Sequence, residues 1–233
     1  MGRPGAGAPP AAALIAAAGS GERLGAAGPK ALVELAGRPM LEWSLAAFER
    51  AAPVAATIVA APPADLERFA TAVESFEGVE VIAGGATRSE SVAAGLERVE
   101  AEIVAVHDAA RPLVTTELIS DLIELLAART DAAGVIAAAP MTDTVKRVSG
   151  TTVDRTENRS GLWAAQTPQV FHAGALREAI GADARRLAQA TDDAWLVEQA
   201  GGKVLIHEAS ANNLKVTTPC DVRIAELLLS ERG

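Results

Sequence analysis

The sequence is poor in the residues on which several classes of protein depend. Cys220 is the only cysteine among 233 residues, which excludes an intramolecular disulfide and favours a reducing, cytoplasmic location. Three histidines and the lack of an H-E-x-x-H pattern disfavour a zinc enzyme. No stretch approaches the roughly 18 consecutive apolar residues of a membrane span, so the sequence predicts none.

The composition nevertheless suits a folded protein. Aromatic residues make up only 3% of the chain, and alanine supplies much of a hydrophobic content of 49%, which is enough for one sizeable α/β core. The formal net charge of −9 disfavours binding to nucleic acid or to an anionic membrane. Any anionic ligand must therefore be held by local positive charges rather than by the overall field.

The most informative stretch runs from residue 13 to residue 38. Its apolar run 14–18 ends in the glycine-rich loop 19–25, as in a buried strand that enters a tight loop. The backbone N–H groups of such a loop can approach a phosphate closely, and Arg23 and Lys30 would add positive charge. A dinucleotide-binding loop is the alternative, but its glycine spacing and its acidic ribose ligand are not matched.

Apolar runs alternate with helical patterns along most of the chain, which predicts an α/β fold with a doubly wound, mostly parallel, Rossmann-like sheet. Ligands of such sheets bind beyond the carboxyl ends of the strands. Ser89 and Thr191 are predicted helix caps. After the first strand, we predict strands at 57–61, 79–82, 103–106, 133–139 and 203–207, and helices at 39–51, 64–76, 89–99, 116–128, 173–180, 192–200 and 219–229.

Residues 141–160 break this alternation. They are polar and β-branched, with Ser149-Gly150 at the centre, which predicts a protruding β-hairpin. Because an isolated hairpin is marginal in water, we expect it to act as a dimerisation arm that packs on a second copy of the chain. Residues 1–10 are predicted to be a disordered leader, and 11–233 a single domain.

Charged residues follow several predicted strands. Asp108 is suited to hold Mg²⁺ together with substrate phosphates, although an ordinary turn aspartate fits the same position. The loops also carry cations, each of which alone would be typical of a protein surface. Together they suit two anionic substrates, a triphosphate and a monophosphate; they are Arg23, Lys30, Arg111, Arg159 and Lys215.

Small polar residues form a second group of candidates. Gly84-Gly85 and Ser91 could receive a planar base, although a turn followed by a helix-surface serine fits the same residues. Three threonines could donate hydroxyl groups to a phosphorylated polyol, or could instead serve turns and caps. They are Thr144, Thr167 and Thr191.

The motifs resemble those of known enzymes. The glycine-rich loop resembles the signature A-A-G-x-G-x-R-x-G…P-K of the nucleotidyltransferases that load a sugar or polyol phosphate onto a nucleotide. From about residue 12 to 230, the chain resembles the 2-C-methyl-D-erythritol 4-phosphate cytidylyltransferase family of the non-mevalonate isoprenoid pathway. The motifs that carry this resemblance are G-G-x-x-R-x-x-S-V from Gly84, V-H-D-A-A-R-P from Val106, D-T-V-K from Asp143, R-x-G-L-W from Arg159, T-P-Q from Thr167, T-D from Thr191 and N-L-K-V-T from Asn213.

The resemblance implies a Mg²⁺-dependent homodimer that transfers CMP from CTP to 2-C-methyl-D-erythritol 4-phosphate and releases pyrophosphate. It implies catalytic roles for Arg23, Lys30 and Lys215, and a metal-binding role for Asp108. The residues implied for CTP are Ala17, Ala18, Gly19, Gly21, Gly85, Ala86 and Ser91. Those implied for the second substrate are Asp108, Arg111, Thr144, Arg159, Thr167, Thr191 and Lys215, with Arg159 reaching the site of the partner subunit.

Two positions depart from the family pattern, which often has aspartate where Ala86 and Asn158 stand here. Ala86 lies where the family would contact the base, so this change affects base recognition. Asn158 removes a negative charge from the arm beside Arg159. Two alternatives remain open from the sequence: a ribitol 5-phosphate cytidylyltransferase, and a CTP-binding regulatory module without catalysis.

Overall fold

A computed structural model describes residues 8–19, 21, 24 and 28–231. Its strands, in chain order, are β1 (Ala11–Ala16), β2 (Glu34–Leu35), β3 (Arg38–Pro39), β4 (Val54–Ala61), β5 (Val79–Ala83), β6 (Ile103–Asp108), β7 (Gly134–Pro140), β8 (Lys146–Ser149), β9 (Thr152–Thr156), β10 (Trp163–His172) and β11 (Val204–Glu208). Its α-helices are α1 (Met40–Glu49), α2 (Leu66–Val73), α3 (Arg88–Leu96), α4 (Thr116–Ala127), α5 (Ala173–Gly181), α6 (Ala184–Gln189), α7 (Asp193–Gln199) and α8 (Pro219–Ser230). None of the described helices is long and apolar enough to cross a membrane.

Seven strands form one sheet in the order β11-β7-β10-β6-β1-β4-β5. Neighbouring strands are parallel except at β10, which is antiparallel to both β6 and β7. The chain moves outward from β1 through β4 to β5 and then returns to the other side of β1 with β6. The strand order therefore reverses at β1, and the doubly wound, mostly parallel fold is confirmed.

Side chains of successive strand residues enter two different cores, because a strand has a period of two. On β1, Ala13 and Ile15 join a core that includes residues of α1, α2 and α4. Leu14 faces the other way and joins a core built with α3, α5 and α7. A smaller cluster that includes Leu35, Met40 and Val216 fixes α8 beside the β2–β3 hairpin.

Two predicted helix caps are wrong. The N-cap of α3 is Thr87, whose side chain accepts the N–H of Glu90 at 3.1 Å while the Glu90 carboxylate accepts the N–H of Thr87 at 3.0 Å. This reciprocal capping box places Ser89 inside the helix, where it is buried. The N-cap of α7 is Asp192, and Thr191 is an exposed residue before it.

Strand β10 lies in the middle of the sheet, although the sequence did not predict a strand there. Pro168 stands within it, and proline normally argues against a central strand because it lacks a donor for the ladder. Pairing with β7 is interrupted between Ala165 and Gln169, and pairing with β6 begins only at Gln169. This irregular segment brings Thr167 beside the end of β6.

The predicted hairpin is present. Strands β8 and β9 pair with each other around Gly150, which has φ +58°, and their residues are exposed. Val148 and Val153 pair across the hairpin, and each has 54% of its surface exposed. Of the predicted leader, residues 1–7 lie outside the described residues, so its disorder stays a prediction.

Helix α3 packs closely against β1 at Gly95, and this contact is suited to a direct test. A Cβ atom at Gly95 would lie 1.9 Å from Cδ1 of Leu14, which is fully buried. We expect Gly95→Ala to lower the free energy of unfolding by about 1–3 kcal/mol, because the core cannot admit another methyl group without shifting.

Urea unfolding of purified variants measures this effect. Gly174→Ala in α5 is the matched control, since a Cβ there meets no atom within 4 Å and alanine favours a helix by up to about 1 kcal/mol. A Gly95→Ala variant as stable as the parent would show that α3 and β1 are packed less closely than in this structure.

Candidate active site

A cavity of about 600 Å³ opens at the carboxyl ends of β1, β5 and β6, where the strand order reverses. Its position is the one that doubly wound sheets use for ligands. The residues that line it include Ala17, Ala18, Gly19, Gly21, Lys30, Gly85, Ala86, Arg88, Ser91, Asp108 and Lys215. All seven residues predicted to bind CTP are among them, as are two of the three predicted catalytic cations.

The described residues of the glycine-rich loop are held by backbone hydrogen bonds beside Lys30. The N–H of Lys30 donates to the carbonyl of Gly19 at 3.1 Å, and the N–H of Leu24 donates to the carbonyl of Gly21 at 2.8 Å. Gly21 has φ +74°, and a Cβ there would lie 3.2 Å from Cβ of Lys30. The turn thus requires glycine for both conformation and space. Arg23 lies outside the described residues, and its catalytic role stays a prediction.

A second loop, 84–87, forms the opposite wall. The N–H of Gly84 donates to the carbonyl of Ala61 at 2.7 Å, and the N–H of Gly85 donates to Oγ of Ser91 at 3.1 Å. Ser91 donates its hydroxyl hydrogen to the carbonyl of Thr87 at 2.9 Å. Ser91 therefore lines the cavity, but its hydroxyl is used to hold the loop in shape and has no second hydrogen to offer a base.

Asp108 ends β6 at the floor of the cavity, between two cations. Its Oδ1 lies 2.7 Å from Nε of Arg88, and its Oδ2 lies 2.7 Å from Nζ of Lys215. Burial alone would raise the pKa of Asp108, but the charges of Arg88 and Lys215, and their hydrogen bonds to it, hold its pKa well below the usual range. The carboxylate is thus ionised throughout the neutral range.

Arg88 continues this charge chain away from the cavity. Its Nη1 lies 2.8 Å from Oδ2 of Asp193, the first residue of α7, which is fully buried. Burial would lower the pKa of Arg88, but Asp193 and Asp108 raise it above its ordinary value. Burial raises the pKa of Asp193, and Arg88 opposes that effect. The sequence assigned no role to Arg88 or Asp193, because residues this far apart in the sequence give no sign that they are in contact.

Lys215 is carried by a loop that several polar contacts fix. The side-chain amide of Asn213 donates to Oε1 of Gln166 and to the carbonyl of Thr167, both at 2.9 Å. Nη1 of Arg111 donates to the carbonyl of Asn213 at 2.7 Å. Arg111 was predicted to hold the second substrate, yet it does not line the cavity and is engaged with this loop.

Four other predicted substrate residues also lie outside the cavity lining. Thr167 is 4% exposed, and its Oγ1 accepts the N–H of Asp108 and lies 3.0 Å from Nδ1 of the buried His107. Burial lowers the pKa of His107 to about 3, so this imidazole is neutral. Thr144, Arg159 and Thr191 are exposed, and Nη1 of Arg159 donates to the carbonyl of Thr142. A single chain thus brings all the predicted CTP residues to the cavity, but only two of the seven predicted for the second substrate.

Asp108 is compatible with a hard cation. A carboxylate offers about four lone-pair positions, of which Arg88 and Lys215 use two. Among the described residues no group of three or more histidine, cysteine or acidic side chains is placed to ligate a metal. That donor set suits Mg²⁺, which commonly binds to one or two carboxylates, substrate phosphates and water, rather than a metal that needs an all-protein cage.

The cavity has room for a nucleotide and lies where the strand order of a doubly wound sheet reverses. Its glycine-rich turn and its aspartate between two cations are typical of an α/β nucleotidyltransferase. Comparison with known proteins gives the particular family. The chain belongs to the family IspD, 2-C-methyl-D-erythritol 4-phosphate cytidylyltransferase, whose sequence model matches residues 11–231. The resemblance inferred from the motifs is therefore confirmed.

Individual relatives agree with this assignment. The 2-C-methyl-D-erythritol 4-phosphate cytidylyltransferase of Prochlorococcus marinus is 42% identical over 224 residues, which are 94% of this chain and 98% of that protein. The crystal structure of the protein of that name from Thermus thermophilus has 35% identity and a TM-score of 0.77, covering 95% of this chain and 99% of that one. The 4-diphosphocytidyl-2C-methyl-D-erythritol synthase of Anaerococcus prevotii has 30% identity and a TM-score of 0.82 over the same shares.

The anchor of the Lys215 loop gives a pH-dependent prediction. Oδ2 of Asp221 accepts the N–H and the hydroxyl of Thr217, both at 2.8 Å, and the N–H of Thr218 at 2.7 Å. Burial would raise the pKa of Asp221, but these hydrogen bonds lower it to about 2. We expect Asp221→Asn to cost about 1 kcal/mol or less at pH 7, since solvent reaches this carboxylate and weakens its contacts.

The direction of the pH dependence follows from the lowered pKa of Asp221. Stability from an ionised Asp221 is present above its unfolded pKa of about 3.9 and is lost as pH falls through its folded pKa, so the difference between parent and variant should shrink between pH 4 and pH 2. Urea midpoints measured across this range provide the test, with Asp143→Asn, outside any helix cap, as the control. A difference that does not change with pH would contradict the anchoring role.

Proposed function

We propose that this cavity binds CTP and that the chain there transfers CMP to 2-C-methyl-D-erythritol 4-phosphate. The observation that supports this most is the assembly of the glycine-rich turn, loop 84–87, Lys30 and the Asp108–Lys215 pair around one cavity of about 600 Å³. The turn would surround the triphosphate through its backbone N–H groups. Loop 84–87 would receive cytosine against Gly85 and Ala86, through backbone groups, because Ala86 has no polar side chain.

The reaction needs positioning and charge neutralisation more than a general base. An oxygen of the methylerythritol phosphate, already ionised near neutral pH, forms a bond to the α-phosphorus of CTP. The bond from that phosphorus to the oxygen bridging to the β-phosphate breaks, and pyrophosphate leaves with the electron pair. Lys30 and Lys215, with Arg23, would offset the repulsion between the two anions and the charge that develops on the leaving group.

Asp108 is the residue that would hold Mg²⁺. When bound, the ion would neutralise phosphate oxygens of CTP. The chain's own contribution is to keep that carboxylate ionised and directed into the cavity. Because the carboxylate of Asp108 has about four lone-pair positions, it could bind the ion and keep its ion pair with Arg88, whose side chain is only 25% exposed.

Another copy of the chain would complete the binding site for the second substrate. Arg159 and Thr144 flank the exposed hairpin and do not line the cavity of their own chain. The apolar pair Val148 and Val153 gives the hairpin a surface to pack on a partner. In such a homodimer, the arm would carry Arg159 to the partner's cavity, where Lys215 would hold the same phosphate. A cytoplasmic location stays a prediction from the cysteine content.

Pyrophosphate release from CTP tests the proposed function. We expect turnover with 2-C-methyl-D-erythritol 4-phosphate, and little with UTP or ATP in place of CTP. Lys30→Ala should lower kcat by at least about a hundredfold, because it removes a cation from the reacting phosphates. Lys203→Ala, which removes an exposed lysine paired with Asp131 outside the cavity, is the matched control.

Two outcomes would overturn this assignment in different ways. Faster release with ribitol 5-phosphate would identify the ribitol 5-phosphate cytidylyltransferase instead. CTP binding without any release of pyrophosphate would identify a regulatory module. An active Lys30→Ala enzyme would leave the reaction in place but remove Lys30 from it.

Mixing two inactive variants tests the shared site. In a dimer of Lys30→Ala with Arg159→Ala, one cavity carries both defects and the other carries neither. Random mixing should therefore restore about a quarter of the parent activity. Val153→Asp on both chains should abolish that recovery by placing a charge in the arm's apolar surface, while Thr152→Asp on the opposite face of β9 is the control. Mixtures that stay inactive would contradict a role for Arg159 across the dimer.

A further inference from the structure

Four charged side chains form a continuous chain from the cavity into the protein interior. Lys215 pairs with Asp108, Asp108 with Arg88, and Arg88 with Asp193, at distances of 2.7, 2.7 and 2.8 Å. Lys215 has a side chain that is 41% exposed, whereas Asp193 is fully buried. The charges alternate and balance, so the inner members stabilise one another without depending on a ligand.

A buried ion pair of this kind needs a reason beyond stability. Taking charges out of water costs several kcal/mol for each ion, and apolar side chains of similar volume often stabilise a core better. The carboxylate oxygens of Asp193 have no hydrogen bond of good geometry, so the buried charge is compensated by Arg88 at close range. A buried ion pair of this kind is expected where a neighbouring functional group must be held in a fixed position.

Asp193 is itself rigidly placed. Oε1 of Gln169 accepts the N–H groups of Asp193 and Ala194, at 3.2 and 3.1 Å, and Nε2 of Gln169 donates to Asp192 at 2.8 Å. Gln169 belongs to β10, which pairs with the strand that ends in Asp108. The start of α7 and the end of β6 are therefore fixed to the same part of the sheet.

Arg88 joins these two fixed points. It is the first residue of α3, held by the Thr87–Glu90 capping box, and its guanidinium presents Nε to Asp108 and Nη1 to Asp193. A planar guanidinium with a hydrogen bond to Asp108 and an ion pair with Asp193 has little freedom to turn. Without Asp193, Arg88 would be able to swing into the cavity that it lines and pair with phosphate instead of Asp108.

From this geometry we infer that Arg88 and Asp193 are positioning residues for the transfer reaction. Asp193 holds Arg88 back from the substrates, and Arg88 holds one oxygen of Asp108 in place. The other oxygen stays available for exchange, because its partner Lys215 is partly exposed and carries its charge on a long, flexible stem. The inference rests on the proposed function for its effect on rate, but the placement of Asp108 is a structural claim that stands apart from it.

Three variants test the inference. Arg88→Gln leaves Asp193 unpaired, so we expect the melting temperature to fall by about 10 °C and kcat by about a hundredfold. Asp193→Asn frees Arg88 and should lower kcat about tenfold. The double variant Arg88→Gln/Asp193→Asn removes the stranded charge, so it should regain much of the melting temperature while kcat stays as low as in Arg88→Gln. Arg98→Gln, which removes an exposed arginine just after α3, is the control for the loss of a surface charge.

The double variant separates positioning from stability. A purely structural role for the pair predicts that kcat recovers together with the melting temperature, and that result would overturn the inference. A raised KM for CTP with unchanged kcat in Arg88→Gln would also overturn it, because Arg88 would then bind substrate directly. If the parent enzyme shows no turnover, the proposed function fails, and a crystal structure of the double variant decides the inference: a displaced Asp108 carboxylate supports it and an unmoved one refutes it.

Discussion

The structure depends on one carboxylate that is kept charged at the end of a buried strand. Asp108 closes β6 beside the point where the strand order reverses, and the protein surrounds it with Arg88 on one side and Lys215 on the other. Burial opposes the charge of Asp108, and these two cations outweigh that effect. Helix α3 and the loop before α8 thus each deliver one cation to this carboxylate.

The elements converge on Asp108 from separate parts of the sequence. The capping box of α3 places Arg88, the irregular part of β10 places Thr167 against the Asp108 backbone, and the Asn213 amide fixes the loop that carries Lys215. Each is held by hydrogen bonds as well as by apolar packing. Such networks fix geometry closely, because a half-satisfied buried polar group is costly.

How much of this could be read from the sequence depends on whether a feature is local. The alternation that predicts the parallel strands and the Gly150 hairpin are local patterns, and the structure has both. The glycine-rich turn is local too, and its described residue Gly21 has a positive φ. Strand β10 was missed because Pro168 breaks the local pattern while tertiary pairing with β6 and β7 restores the strand. The predicted caps Ser89 and Thr191 were wrong because neighbouring residues, Thr87 and Asp192, can fill the same role and do so in the structure. Asp193 was not identified because only the packing of α7 reveals its partner.

The charge balance explains how an acidic chain can present a site for anions. The formal net charge of −9 places a repulsive field around the molecule, which falls off within about one Debye length of 8–10 Å in salt solution. At the cavity and in the core beside it, Asp108 and Asp193 are matched by Arg88 and Lys215, so these charges cancel, and Lys30 adds a positive charge at the glycine-rich turn. Phosphates would meet local cations and backbone N–H groups at short range, where the local dielectric is low and these contacts outweigh the distant field. An acidic surface and an anion-binding cavity are therefore compatible, provided that the inner carboxylates stay paired.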